Sequence, residues 1–205
     1  MAVPSPALPD DCLIVELQAG TRLIRVHWRS NGPLWFGPAP GGLPGNRFDA
    51  PAGEYGTLYA AQELKGAFSE TVLRKAARII AWPIVEKRSW SVIELQRDVT
   101  LAQLHGDGLG WHGVTAEICT GDDYGPSQAL SLAFYGKGLD GIAYRGQHNN
   151  DQISYALFDR IEMAELHVVE THHFADNPNE AQRLLDNNNA AWDPMLPLPD
   201  LAKLP

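Results

Sequence analysis

"GNRFDAPAGEYGTLYAAQELKGAFSETVLR", Gly45 to Arg74, carries three local signals in succession. An Arg-Phe pair sits in a Gly/Pro-rich loop, an apolar run ends near Tyr59, and a helical pattern carries Glu70. "TLYAA" reads as a short strand. In "QELKGAFSETVLRKAARII", Leu64, Phe68, Val72, Ala76 and Ile79 recur at helical spacing, with the break placed at Pro83. At about 100° per residue, Glu70 lies about 200° around that helix from Phe68. It is therefore off the apolar stripe, facing either solvent or a cleft.

Each polar residue here has an ordinary reading beside a functional one. Glu70 precedes Arg74 by four residues, the spacing of a surface ion pair worth a few tenths of a kcal/mol. Arg47 lies among glycines that let a backbone approach a ligand, and its planar fork suits phosphate oxygens. Equally, it suits clipping the loop to backbone carbonyls. Arg25, within "LIRVHW", is flanked by apolar residues on an expected strand, a setting shared by snorkelling rim arginines.

Outward from this stretch, "CLIVELQAGTRLIRVHW" reads as two short elements flanking Gly20. Ser30 to Gly56 is dominated by Gly, Pro and Asn, yet Trp35, Phe36 and Phe48 mark it as a loop that packs. "SWSVIELQ" alternates as a strand, "GDGLGW" as a turn. "PSQALSLAFYGKG" reads as a helix starting near Ser127 and ending by Gly136 or Gly138. "GIAYRGQ" and "QISYALFD" are strands joined by "HNND", and "MAELHVVETHHF" is a further strand. From Asn177 to Pro205 an Asn run and repeated prolines leave three possibilities: the segment wraps the domain, contacts a partner, or hangs free.

Composition narrows the function classes. The 205 residues are 44% hydrophobic and 20% charged, which suits one globular domain. A net charge of −9 argues against a general nucleic-acid binder, though two or three arginines can serve a phosphate-bearing small molecule. Cys12 and Cys119 are too few for a disulfide framework or a Cys-based zinc site. No signal-peptide pattern or membrane-length apolar run occurs, so no membrane role is expected and a cytoplasmic location is. In "HVVETHH", alternation puts Glu170 and His172 on one face and His167 and His173 on the other, with no obvious third metal ligand. No metal is expected. A hydrolase using these histidines ranks last, and no Gly-x-Ser-x-Gly elbow is present.

The order of "LIRVHW", the "RF" loop, "GTLYAA", "AFSETVLR", "SVIELQ", "GIAYRGQHN" and "ISYALFD" resembles the RES domain family over roughly Leu23 to Asp159. The resemblance implies an α+β fold similar to ADP-ribosyltransferases, with a mixed or antiparallel β core and flanking helices. It divides the chain into an N-terminal extension and first element (1–22), a RES domain (23–176) and a Pro/Asn-rich tail (177–205). It further implies a toxin that depletes NAD by cleaving the nicotinamide–ribose bond, with water or phosphate as acceptor and NAD as substrate rather than cofactor. An Xre-like helix-turn-helix antitoxin is the implied partner, direct nucleic-acid binding is not implied, and a homodimer is the expected state.

By that resemblance Glu70 and Arg47 are catalytic, and Arg25 and Tyr59 bind substrate. The arginines would clamp the pyrophosphate, Tyr59 would face nicotinamide or hold the ribose through its hydroxyl, and Glu70 would stabilise an oxocarbenium-like ribose. The family's serine falls on Gly146, which has no hydroxyl; Gln147 and Ser154 lie nearby. That departure favours a second reading, a RES-like module that binds a nucleotide or a protein without turnover.

Overall fold

A β-branched, alternating sequence makes the first long strand. In "RLIRVHW", Leu23, Arg25 and His27 fall on one side and Ile24, Val26 and Trp28 on the other. The computed structural model describes residues 8–38, 42–73 and 78–201. Its elements run β1 (Ile14–Leu17), β2 (Arg22–Trp28), β3 (Thr57–Ala61), α1 (Leu64–Val72), β4 (Ile79–Ile80), α2 (Trp82–Val85), β5 (Arg88–Leu95) and β6 (Val99–Leu104). They continue through α3 (Asp107–Trp111), α4 (Glu117–Thr120), α5 (Gly125–Gly136), β7 (Gly141–Arg145), β8 (Ile153–Phe158), β9 (Leu166–His173), α6 (Pro178–Asp186) and β10 (Ala191–Trp192).

Eight strands form one sheet in the order β1-β6-β7-β8-β3-β2-β5-β9. All neighbours are antiparallel except β6 and β7. The fold is thus α+β with a mostly antiparallel core, as the resemblance implies. One join is weak: β2 and β3 share only the pairing Ile24↔Ala61. Beyond it the two strands part, and the sheet divides into a five-strand and a three-strand half.

Three apolar clusters follow from the period-two alternation. Ala102, Leu104, Ile142, Tyr144, Ala156 and Phe158 meet Leu130 and Phe134 of α5 on one face. Burying Phe134 and Leu130 fully is worth about 1.5–3 kcal/mol each. The alternate residues, Leu101, Ala143, Tyr155 and Leu157, face inward and meet Leu23, Ile93 and Leu95 of the other half. Val26 and Trp90, on the outer face of β2 and β5, pack with Phe68 of α1 and Leu184 and Leu185 of α6.

Several sequence expectations hold: β1 and β2 flank Gly20, β5, β7, β8 and β9 lie where alternation puts them, and α5 begins beside Ser127. Others are corrected. The helical pattern stops at Val72, and Ile79 lies instead in β4, pairing in parallel with β10. Arg74 and Ala76, and with them the Glu70–Arg74 pair, lie outside the described residues. Pro83 does not break a helix; it sits in the first turn of α2, where a missing N–H costs nothing. "GDGLGW" is the short helix α3 rather than a turn. Of the segment left open beyond Asn177, α6 packs Ala181, Leu184 and Leu185 into the third cluster, so this part wraps the domain. Strand β6 was not anticipated. Among the described residues no helix is long and apolar enough to cross a membrane.

Candidate functional site

The inward face of the three-strand half changes character along its length. Leu23, Ile93 and Leu95 are apolar; further along, Arg25 lies opposite Ser91 and His27 opposite Ser89. At this polar end, where β2 and β3 have parted, a cleft of about 260 Å³ opens. Arg25, Arg47, Tyr59 and Glu70 all line it. The loop, the strand and the helix of the stretch from Gly45 to Arg74 therefore meet in one cavity.

Arg25 is 7% exposed, and its Nη1 has no hydrogen-bond partner among the described residues. Burial lowers its pKa to about 10, so the guanidinium is still charged at neutral pH. A buried cation with an open donor is costly unless an anion meets it. Snorkelling does not describe this residue. Its strand neighbour His27 is also buried, with Nδ1 3.0 Å from the Trp28 carbonyl and Nε2 3.0 Å from Ser91 Oγ. Nδ1–H donates to the carbonyl, leaving Nε2 to accept from the serine. Burial, the Arg25 charge and His173 all hold the ring below the usual histidine pKa, hence neutral.

Arg47 satisfies both of its readings. Its Nη1 donates to the Gly121 carbonyl at 2.7 Å, and its Cζ lies 4.6 Å above the Tyr124 ring. The same side chain forms part of the cleft wall. Its loop is pinned from inside by buried Asp49, which accepts from the backbone N–H groups of Gly45 (3.0 Å) and Asn46 (2.8 Å). The Tyr59 hydroxyl donates to Asp49 at 3.0 Å and accepts from Phe48 N–H at 2.9 Å. Burial and the Asp49 charge raise this phenol well above its ordinary pKa. One expectation is therefore corrected: the Tyr59 hydroxyl is committed to the loop and is not available to a ribose.

Glu70 is half-buried on α1, and its Oε1 accepts from the His148 backbone N–H at 3.3 Å. Gly146 lies against this carboxylate. Gln147 and His148, on the same loop, line the cleft, whereas Ser154 is buried within β8 and does not. Ser154 cannot replace a cleft hydroxyl. Trp28 and Trp35 each keep 40% of their surface exposed in the wall, and Arg88 Cζ lies 3.9 Å over the Trp28 ring. Three guanidinium groups thus line the cleft with one carboxylate, Glu70, as its only acidic side chain among the described residues. The local sign is opposite to that of the chain.

Sequence reasoning missed His27, Trp28 and His148 as cleft residues and read Trp35 as packing only. His27 was legible in principle, since alternation places it on the face of Arg25. Trp35 signalled only that its Gly/Pro-rich segment packs, and Trp28 carried no site signal of its own. On β9, Glu170 and His172 share a face as expected and pair at 3.2 Å, and His173 Nδ1 lies 2.6 Å from Ser89 Oγ. No group of three or more His, Cys, Asp or Glu is placed to hold a metal among the described residues.

Comparison with known proteins fits this architecture. No curated protein sequence matches the chain. Among solved structures, a chain of the M. tuberculosis MbcT–MbcA toxin–antitoxin complex superposes with a TM-score of 0.68 at 16% identity, covering 83% of this chain and 92% of its own. At that identity the likeness speaks for the fold. Residues 21–177 match the RES domain, a span that contains every cleft residue named above. The protein belongs to the RES domain family.

Proposed function

We propose that the protein is the toxin of a toxin–antitoxin pair and that it cleaves the nicotinamide–ribose bond of NAD. The observation that carries this reading is the convergence of Arg25, Arg47 and Glu70 on one aromatic-lined cleft. A dinucleotide offers what those groups lack. Its pyrophosphate supplies the anion for the open donor of Arg25, and its bases supply faces for Trp28, Trp35 and Tyr59.

The chemistry needs few protein groups. When the bond between ribose C1′ and the pyridinium nitrogen breaks, the electron pair leaves with the nitrogen and nicotinamide departs neutral. No general acid is required. Positive charge then resides on C1′ and the ring oxygen, where the Glu70 carboxylate stabilises it. Water adds at C1′ and releases a proton, giving ADP-ribose; phosphate adding there gives the 1-phosphate. A neutral His27 beside Arg25 adds no competing positive charge.

Membership of the family, and the presence of its structural relative in a toxin–antitoxin complex, support a protein antitoxin as partner. An Xre-like antitoxin, a homodimeric state and a cytoplasmic setting complete the proposal. A second reading, binding without turnover, draws on the missing hydroxyl at Gly146. Incubation of purified protein with NAD, with and without phosphate, separates the two by free nicotinamide. Release that falls about 100-fold or more in Glu70→Gln supports catalysis; binding of NAD with no nicotinamide released supports the module.

A further inference from the structure

Gly146 follows directly on β7 and opens the loop that brings Gln147 and His148 to the cleft. Glycine in such a place is usually explained by a backbone that other residues avoid. That explanation fails here, because Gly146 is not among the glycines with positive φ. The reason lies in space. A Cβ built on Gly146 would overlap the Glu70 carboxylate, meeting its carbon and Oε1 well inside van der Waals contact and Oε2 at 3.0 Å. A second glycine makes the same approach from the helix side. A Cβ on Gly66 of α1 would come within 2.7 Å of Gln152 Oε1, which accepts from the Gly66 N–H at 3.0 Å. Helix and loop are therefore drawn together at two points, and at one of them a carboxylate fills the place of a side chain.

We infer that Gly146 is a positioning residue, whose missing side chain is the seat of the Glu70 carboxylate. In that seat Oε1 accepts from the His148 N–H, so the acid is held by loop backbone on one side while it faces the cleft. Any side chain at position 146 competes with it. The group that yields is the end of a flexible side chain and not the backbone, so the fold survives and the carboxylate moves. The location of the seat stands on geometry alone; its catalytic consequence rests on the reading of Glu70 given above.

Two substitutions test it, Gly146→Ala and Gly146→Ser. The serine is the sharper, since it supplies the hydroxyl expected at this position from the resemblance, and a protein impaired for want of that hydroxyl would gain activity. Displacement of the acid predicts the opposite: kcat for nicotinamide release falls by about 10- to 100-fold in both variants, while KM for NAD stays within about threefold. A readout independent of NAD follows the seat itself. In amide spectra at fixed pH, Glu70→Gln shifts the His148 resonance, and Gly146→Ala shifts it in the same direction. Turnover in Gly146→Ser equal to or above that of the unaltered protein overturns the inference, as does a His148 resonance that ignores Gly146→Ala. If the unaltered protein releases no nicotinamide, the proposed function fails, and the amide comparison still decides where the carboxylate sits.

Discussion

Arg25 carries a charge on a side chain that water barely reaches, and the cost of doing so falls on the fold. Its pKa, lowered to about 10, lies below the ordinary arginine value. The sign follows: the residue weakens the fold at all pH values below about 10, and the penalty fades as pH rises through that value. Arg25→Met, of similar length and uncharged, is expected to raise the urea midpoint of the ligand-free protein, by about 1–4 kcal/mol of stability. The same substitution is expected to remove NAD binding in calorimetry. A variant that loses stability and keeps binding would show that the guanidinium is structural. This trade was only half legible in the sequence. Alternation placed Arg25 on a strand, but snorkelling and ligand-facing arginines share that pattern until the neighbouring strand is known.

The loop from Gly45 to Asp49 brings Asn46 and Arg47 to the cleft. Nothing regular holds it, so side chains do: Asp49 gathers two backbone N–H groups, and the Phe48 carbonyl accepts from Thr57 Oγ1 at 3.2 Å and Ser131 Oγ at 3.0 Å. Tyr59 joins the two ends of this arrangement. Tyr59→Phe keeps the ring in the cleft wall and removes only the hydroxyl, leaving the Phe48 N–H without its partner. The expected cost is about 1–3 kcal/mol in chemical denaturation, with a fall in kcat/KM as Arg47 loosens. Full stability in that variant would mean the loop is held without the phenol. The packed character of this loop could be read from Phe36 and Phe48. Its wiring could not, because Asp49, Thr57 and Ser131 are ordinary residues that gain meaning only when their partners arrive from distant strands and helices.

At the scale of the whole molecule, a single weak join in the sheet makes the site. Were β2 and β3 paired along their length, Arg25 and Tyr59 would lie in a closed wall; the lone pairing at Ile24↔Ala61 lets the halves part, and the cleft opens between them. The separation is kept by packing behind it, where α6 closes the third cluster with Leu184 and Leu185. Leu185→Ala is expected to cost about 2–5 kcal/mol in thermal or urea unfolding, though it lies beyond the span matched to the family. An effect near zero would mean that α6 adds nothing to the third cluster. The sequence left this segment open, because its Asn run and prolines mask the Ala181, Leu184 and Leu185 spacing. Strands β2, β3, β5, β7, β8 and β9 and the meeting of Arg47 and Glu70 at one cleft were legible; β4 and β6 were not, nor was the parting of β2 from β3, since a missing pairing leaves no mark on periodicity. The most direct test of the whole is a crystal structure of Glu70→Gln, made to slow turnover, grown with NAD. The prediction is a pyrophosphate oxygen within hydrogen-bond distance of the Arg25 guanidinium and the nicotinamide ribose beside position 70; NAD bound elsewhere, or with its phosphates turned away from Arg25, would contradict it.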